Sequence, residues 1–310
     1  MNRVNTEQIQ EASQQKWQHQ AQSIEYMSAV NPPMPSIDVI AYPASLHETE
    51  KTQIIPFDLS KSLKTNYPAT SPNLMAGFLH ICTGETLKTE AKATSHVFYV
   101  IRGSGQTQIT SGTIKWKTGD LFTLPAFPYA IHTATSDVAI YWVHDAPLLH
   151  YLGVEPSTTP RFEPVLYTKE FLTTELKEIR KIAEGKNRTG FLLFNPNFPL
   201  TMTLTHTLWA LYNVLPAGVT QKPHRHNSIA LDFCVSASKN TYTLIGKELD
   251  SKGNIINPIK ANWTAGSAFI TPPGWWHSHH NESDEDAIVL PIQDAGLIMN
   301  MQVLDFQHIV

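Results

Sequence analysis

Short β-rich runs, separated by glycine and proline, fill two long stretches of the chain, residues 76–147 and 200–294. Their turn residues recur about every 8–12 residues, which is the spacing of strands in an all-β sandwich or barrel. Between the two stretches, residues 168–184 carry apolar side chains at helical spacing and are followed by Gly185, a residue type that commonly ends a helix. The sequence therefore predicts two β-rich halves joined by a helical connector.

The stretch ahead of the first β-rich half has a different composition. Residues 5–27 are polar and contain few β-branched residues, which favours a helix or a frayed arm. Residues 30–72 contain several prolines, which indicates an extended segment with short edge strands. We expect four parts: an N-terminal arm and wrapping segment over 1–72, a first β barrel over 73–150, a helical connector over 151–190 and a second β barrel over 191–310.

Charge and composition exclude two classes of partner. The 310-residue chain has 23 lysine and arginine residues against 27 aspartate and glutamate residues, a formal net charge of −4, and no basic run of the kind that neutralises phosphates. It also has no apolar run of the ~20 residues that a membrane-spanning helix needs. We therefore expect neither nucleic acid nor membrane as a partner.

The two cysteines indicate the compartment. Cys82 and Cys234 each lie in an apolar, strand-like run, where a buried free thiol is expected. Residues 1–27 are glutamine-rich and lack the basic and apolar regions of a secretory signal. Because free thiols are typical of reducing compartments, the sequence predicts a cytoplasmic protein.

Histidine is abundant, with 14 residues, and two of them stand in a pattern that suits a metal ion. In the run GVTQKPHRH, Gly218 is followed by His224 and His226. Side chains alternate faces along a strand, so the two histidines point the same way while Arg225 points the other way. Two imidazoles on one strand face can bind one metal ion.

A third histidine follows a proline-glycine turn later in the same half. In GSAFITPPGWWHSHHN, the spacing G-x5-P-x-G-x2-H-x3-N runs from Gly266 to Asn281 and contains His277. The turn delivers this imidazole from a neighbouring strand. The sequence thus predicts one metal site made of His224, His226 and His277.

These two patterns resemble the motifs of the cupins, a superfamily of small jelly-roll barrels that are also described as double-stranded β-helices. The cupin motifs read G-x5-H-x-H-x3,4-E-x6-G and G-x5-P-x-G-x2-H-x3-N. The second is matched at every position, and the first at Gly218, His224 and His226. The glutamate position of the first motif falls on Ala230 or Leu231, and neither side chain can bind a metal. The resemblance implies an all-β fold of two tandem cupin barrels, with a helical connector and an N-terminal helical arm.

A cupin site of three histidines without the carboxylate is similar to that of the gentisate 1,2-dioxygenase group, which includes salicylate and 1-hydroxy-2-naphthoate ring-cleaving enzymes. The resemblance covers residues 205–290 and is clearest in the runs PHRHNSIALDF and PPGWWHSHHNES. It implies a mononuclear Fe(II) site at His224, His226 and His277, with adjacent positions for a small hydroxy-aromatic substrate and O2. The expected activity is that of a ring-cleaving dioxygenase.

Four further residues enter the expected site with this resemblance. His279 matches a second histidine of the family and is expected to act as a general base or to support the metal site. Trp275 and Trp276 match aromatics that wall the substrate cavity. Asp232 stands where the family has an arginine that meets the substrate carboxylate, and by strand alternation it shares the inward face of His226.

The role of Asp232 has several interpretations. It is expected in the catalytic and substrate-binding site as a base or a hydrogen-bond acceptor. It can equally orient a metal-bound imidazole, pair with a cation from elsewhere in the chain, or be turned outward by a bulge. An acid facing inward would repel an anionic aromatic acid, because like charges at short range disfavour binding.

The first β-rich half keeps the spacing of the first motif but loses its ligands. Glu90 and Lys92 stand at the two histidine positions, and His96 stands at the glutamate position. In the second motif the histidine position falls on Ala130. We therefore expect residues 73–150 to form a degenerate cupin barrel without a metal motif.

Two other functions are compatible with the same residues. The first is a metal cupin that catalyses a lyase, isomerase or hydrolase reaction, with zinc, nickel or manganese as Lewis acid and Asp232 or His279 as base, since a nitrogen-ligand site does not by itself choose the ion. The second is a non-catalytic bicupin that binds a small ligand. The resemblance to bicupins also leads us to expect a homo-oligomer, a dimer or a tetramer.

Overall fold

The computed structural model describes residues 6–30, 32–182 and 189–309, and the chain divides into two compact units, Met1–Ser36 and Ile37–Val310. The first unit contains two helices, α1 Thr6–His19 and α2 Tyr26–Ala29. No helix in these described ranges is both long enough and apolar enough to cross a bilayer.

The second unit is built mainly from short strands, as the glycine and proline spacing predicts. The strands of its first half are β1 Ala41–Tyr42, β2 Gln53–Pro56, β3 Met75–Ile81, β4 Thr86–Thr89, β5 Ser95–Arg102, β6 Ser104–Ile109, β7 Gly112–Lys117, β8 Leu121–Pro125, β9 Ala130–Ala134, β10 Val138–His144 and β11 Val165–Tyr167. The helices of this half are α3 Ser60–Leu63, α4 Ala146–Leu152 and α5 Lys169–Ile182.

The second half is also built mainly from short strands. Its strands are β12 Thr189–Leu192, β13 Trp209–Leu215, β14 Thr220–His226, β15 Ala230–Ser236, β16 Thr241–Gly246, β17 Ile259–Asn262, β18 Ala268–Thr271, β19 Trp276–Asn281, β20 Ala287–Gln293 and β21 Phe306–His308. One helix, α6 Ala295–Asn300, follows β20.

Each half folds into a pair of antiparallel sheets. The first half forms a six-stranded sheet in the order β11-β8-β5-β10-β3-β2 and a four-stranded sheet in the order β4-β9-β6-β7. The second half forms a five-stranded sheet in the order β17-β16-β19-β14-β21 and a six-stranded sheet in the order β1-β18-β15-β20-β13-β12. The proline-rich segment thus supplies one edge strand to each half, β1 to the second and β2 to the first.

The predicted connector helix is present as α5, Lys169–Ile182. Its buried residues are Leu172 and Leu176, which lie at the helical spacing read from the sequence. The predicted end of this helix at Gly185 lies outside the described residues.

The two six-stranded sheets share one apolar core. The Phe233 ring of β15 stacks on Tyr141 of β10 with a centroid separation of 4.9 Å, and lies 5.2 Å from the ring of Tyr99 on β5. Aromatic contacts of this kind join the halves, so that Ile37–Val310 is one compact unit. We propose 73–150 and 191–310 as the extents of the two barrels within it.

The interiors of the two halves differ. Stacked aromatic rings occupy the interior of the first half, where Phe98 lies 4.7 Å from Phe122 and 5.8 Å from Trp142. The second half has a smaller apolar cluster around Ile245 and Trp263. Polar side chains line a cavity there instead.

Both cysteines are free thiols, which confirms that part of the prediction. Cys234, within β15, is fully buried, whereas Cys82 is only partly buried. The expected burial of Cys82 is therefore wrong: this residue directly follows the last residue of β3, outside the strand, and its thiol lies 3.3 Å from the backbone carbonyl oxygen of Glu50.

Candidate metal centre

Strands β14 and β19 lie side by side and bring the predicted histidines together. His224 is paired with His277 across the antiparallel ladder, with ring centroids 3.9 Å apart. The register shifts between Gln221 and His224, and beyond this irregularity His279 lies opposite Gln221. A bulge at this position therefore sets which imidazoles meet.

Three of these imidazoles form a tight cluster. One ring nitrogen from each of His224, His277 and His279 lies within 4.8 Å of the other two, and no other group of three or more His, Cys, Asp or Glu side chains in the described ranges does so. His226 lines the same cavity, with its ring 4.9 Å from that of His277. The structure thus brings the predicted helper His279 into the cluster and places the predicted ligand His226 beside it.

Backbone carbonyls fix the protonation of two of the rings. His226 Nδ1 lies 2.9 Å from the carbonyl oxygen of Ser228, and His277 Nδ1 lies 3.1 Å from that of Trp275. A carbonyl can only accept, so in each ring Nδ1 carries a proton, and in the neutral imidazole Nε2 then carries the lone pair. Neutral imidazoles oriented in this way are the form that binds a metal, and the donor set fits a divalent ion.

A hydroxyl holds the third ring, that of His279. Its Nδ1 lies 2.8 Å from Thr243 Oγ1, and Trp263 donates its indole N–H to the same oxygen at 2.8 Å. Thr243 lies directly opposite His279 on the neighbouring strand β16. This Trp–Thr–His chain fixes the orientation of the imidazole within the cluster.

The first half contains the same chain of hydrogen bonds. His132 Nδ1 lies 2.8 Å from Thr107 Oγ1, and Trp116 donates to that oxygen at 2.8 Å. The other ring nitrogen of His132 lies 2.9 Å from Thr89 Oγ1. Burial lowers the pKa of His132 to about 3, so the ring is neutral and both its nitrogens bond hydroxyls. The Trp–Thr–His chain of hydrogen bonds is therefore a structural feature of both halves. In the second half it orients a histidine of the cluster.

Counting residues from the motif glycine gives the wrong first-half equivalents of the metal-site histidines. Glu90 and Lys92 are both exposed and form ion pairs at the surface. The ladder instead pairs Thr89 with Ala130 where the second half has the pair His224–His277. The irregularity in β14 adds a residue that a simple count from the glycine does not register.

The Asp232 carboxyl lies on the inward face of β15 and lines the same cavity as the histidines. It is 2% exposed, and the Thr271 hydroxyl donates a 2.6 Å hydrogen bond to its Oδ2 atom. Burial raises the pKa of Asp232 to about 7, an effect that the hydrogen bond from Thr271 opposes. The site thus contains an acid that titrates near neutral pH.

The cavity has a volume of about 340 Å³ and is lined by imidazole, amide and apolar groups. Beyond the histidines and Asp232, its walls are Gly190, Trp209, Leu211, Asn213, Gln221, Ala230, Pro291, Gln293 and Phe306. Two of the donors in these walls, Trp209 Nε1 and Gln221 Nε2, are buried and have no hydrogen-bond partner among the described residues. A bound molecule with acceptor atoms would satisfy them.

The C-terminal strand β21 covers one side of the cluster. It pairs with β14, so that Phe306 lies opposite His226 and His308 lies opposite His224. The Phe306 ring lies 5.5 Å from that of His224 and 5.3 Å from that of His226. Both Phe306 and His308 line the cavity.

The structure does not bring Trp275 and Trp276 to the cavity wall, which corrects the expected substrate-binding role of both. The Trp276 ring lies under the Arg225 guanidinium at 5.0 Å, and the Trp275 ring lies under the Lys247 ammonium at 5.0 Å. Alternation along β19 is the physical reason for Trp276, because His277 and His279 take the inward face and Trp276 takes the other.

Sequence reasoning missed three cavity residues. Trp209 lies at the start of β13 and lines the cavity. Phe306 and His308 lie in a short C-terminal run that carries no motif. Their spacing of two residues is the signal that could have placed both on one strand face.

No family model matches the chain. It is 28% identical over 160 residues to gentisate 1,2 dioxygenase 1 of Aquipseudomonas alcaligenes, covering 50% of this chain and 43% of that protein. It is 25% identical over 124 residues to 5-aminosalicylate 1,2-dioxygenase of a Comamonas species, covering 40% of this chain and 30% of that protein.

A solved structure matches almost the whole chain. The salicylate 1,2-dioxygenase of Pseudaminobacter salicylatoxidans superimposes with a TM-score of 0.72 at 13% identity, covering 99% of this chain and 98% of that one. The chain resembles the gentisate dioxygenase group. The predicted fold class, all-β with two tandem cupin barrels, and the predicted resemblance are both confirmed. The chain spans under half the length of the curated relatives it matches.

Proposed function

We propose that the chain is a mononuclear, metal-dependent bicupin dioxygenase that acts on a small hydroxy-aromatic compound, with O2 as co-substrate. The observation that carries the proposal is the group of buried histidines in the cavity. The backbone carbonyls of Ser228 and Trp275 orient two of these rings for metal binding through Nε2. Thr243 holds a further ring, that of His279, beside them. The likeness to gentisate and 5-aminosalicylate dioxygenases supports the same chemistry.

We assign Fe(II) to His224, His226 and His277, with zinc, nickel and manganese as the alternatives. When bound, Fe(II) would supply one ion at which a substrate hydroxyl and O2 meet. The chain itself limits water at the site, since Phe306 covers the cluster on one side and the four clustered imidazoles and Asp232 are buried. His279, held through Thr243, can take a proton from the substrate hydroxyl at its Nε2 atom.

Single substitutions distinguish the histidines that bind the metal from the histidine that transfers a proton. His224→Ala, His226→Ala and His277→Ala should each lower the bound metal per chain, whereas His279→Ala should keep the metal and lose turnover. Metal content by plasma mass spectrometry and oxygen consumption with a panel of hydroxylated aromatics give the two readouts. Iron-loaded protein that consumes no O2 with any member of the panel would contradict the proposal.

A second candidate is a metal cupin without oxygenase activity, a lyase, isomerase or hydrolase. The buried Asp232 favours it, because a carboxyl that titrates near pH 7 is matched to general acid–base work. Zinc- or manganese-loaded protein that turns over a substrate without O2 would support this candidate. A bicupin that binds a ligand without any turnover is the third possibility.

We further propose that the protein is a cytoplasmic homo-oligomer, a dimer or a tetramer. Its free thiols support the compartment. An apolar run at the end of α4 supports association, since Tyr151, Leu152 and Val154 are 76%, 58% and 53% exposed. Light scattering on purified protein would show a mass of at least twice the 34.7 kDa chain.

A further inference from the structure

The cavity carries one carboxyl group and several neutral polar groups. Apart from the histidines, Asp232 is the only ionisable side chain among the described residues that line it. Asn213, Gln221 and Gln293 provide amides, and Trp209 provides an indole N–H. A ligand therefore meets an acid where a hydroxybenzoate would need a cation.

The cations nearest in sequence to the cluster face away from it. Arg225 lies between two inward histidines, and its guanidinium donates to Gln307 at 3.1 Å and covers the outer Trp276 ring. The ammonium of Lys247 lies over Trp275. Neither side chain is among those that line the cavity.

Asp232 is held in place to face a ligand. Its strand neighbours Phe269 and Pro291 flank it on both sides, and the Thr271 hydroxyl holds one carboxyl oxygen. In its ionised form, which predominates above about pH 7, this carboxyl attracts a donor such as an amine or a hydroxyl and repels a carboxylate at short range.

Two unpartnered donors in the cavity walls restrict the ligand further. Trp209 Nε1 and Gln221 Nε2 are buried, lie in the same cavity and lack partners among the described residues. Buried donors of this kind are satisfied by an acceptor oxygen on the ligand. A phenolic oxygen meets this need without adding a full negative charge.

Building on the proposed function, we infer that the substrate is an uncharged or aminated phenol, with an amine or hydroxyl group beside Asp232, and not a hydroxybenzoate anion. The substrate class thus differs from the aromatic acids named for the relatives. The cavity selects it by the acid at position 232 and by the neutral donors in its walls.

Binding measured apart from turnover tests this inference. Iron-loaded protein is titrated at pH 8, where Asp232 is ionised, under nitrogen by calorimetry with 2-aminophenol and benzene-1,4-diol, and with salicylate and gentisate. We expect the first pair to bind at least tenfold more tightly than the second pair. Asp232→Asn should reduce that ratio to near one, and Asp232→Arg should reverse it. Asp284→Asn, an exposed acid outside the cavity, is the matched control and should leave the ratio unchanged.

Each outcome has a clear meaning. Salicylate or gentisate binding as tightly as the aminated phenol overturns the inference, as does failure of all four compounds to bind. Asp232→Asn, which keeps the shape of the side chain, decides the case if Asp232→Arg does not fold. Tight binding of the phenols without O2 consumption counts against the proposed dioxygenase function alone.

Discussion

At the level of single residues, the Asp232 carboxyl links the cavity to the stability of the fold. It is buried among apolar side chains with the Thr271 hydroxyl as its hydrogen-bond donor. Burial therefore favours its protonated form, and the ionised form is accommodated at a cost. The neighbouring Tyr141 and Cys234 also have raised pKa values, so they stay uncharged around pH 7.

Asp232 should make the metal-free protein less stable as pH rises. Its pKa is about 7 in the folded chain against 3.8 as the ordinary value, so the unfolded chain ionises first and stability falls between these two values. Asp232→Asn removes this dependence. We expect the free energy of unfolding of the variant, relative to the unsubstituted protein, to increase by up to about 4 kcal/mol from pH 4 to pH 8.

Urea denaturation at several pH values measures this difference. Subtracting the two proteins cancels the other titrating groups. A difference that stays constant with pH would show that Asp232 ionises with an ordinary pKa, which would contradict its burial.

At the level of elements, the paired strands β16 and β19 support the site through Thr243. Thr243→Val keeps the side-chain shape and removes the hydroxyl that bonds His279 and accepts from Trp263. We expect oxygen consumption to fall roughly 10- to 100-fold, the usual effect of losing a group that orients a site imidazole. We also expect a loss of stability of about 1–3 kcal/mol, because two buried polar atoms lose their partner.

Thr107→Val is the matched control for this prediction. It breaks the same chain of hydrogen bonds in the first half, between Trp116 and His132. It should cost similar stability and leave oxygen consumption unchanged. Equal loss of activity in both variants would show that Thr243 acts only through global stability.

Strand patterns in the sequence predicted most of the β-rich segments and part of the site. Turn spacing predicted the strands, and alternation predicted the inward placement of His224 and His226. The irregularity between Gln221 and His224 could not be predicted, because a bulge changes register without a marked change in sequence. That single feature places His224 opposite His277, whereas the first half has no such shift and pairs Thr89 with Ala130.

At the level of the whole molecule, the motif resemblance predicted two barrels, and the structure adds how they meet. Phe233, Tyr99 and Tyr141 join the two six-stranded sheets in one core. These contacts are long-range, and no local pattern in the sequence encodes them. The same holds for β21, whose closure over β14 brings Phe306 from the end of the chain to the cavity.

The division of roles between the barrels follows from their interiors. The first is filled by aromatic rings around Phe98, and its His132 is saturated by hydroxyls. The second keeps a cavity lined by four buried histidines, His224, His226, His277 and His279. A metal ion is therefore expected in the second barrel only.

Metal content per chain tests this central claim most directly. Protein loaded anaerobically with Fe(II) and freed of excess metal should hold one ion per chain by plasma mass spectrometry. His277→Ala should hold almost none, and His132→Ala should hold one like the unsubstituted protein. Protein that retains no metal, or a His277→Ala variant that still holds one ion per chain, would contradict the account.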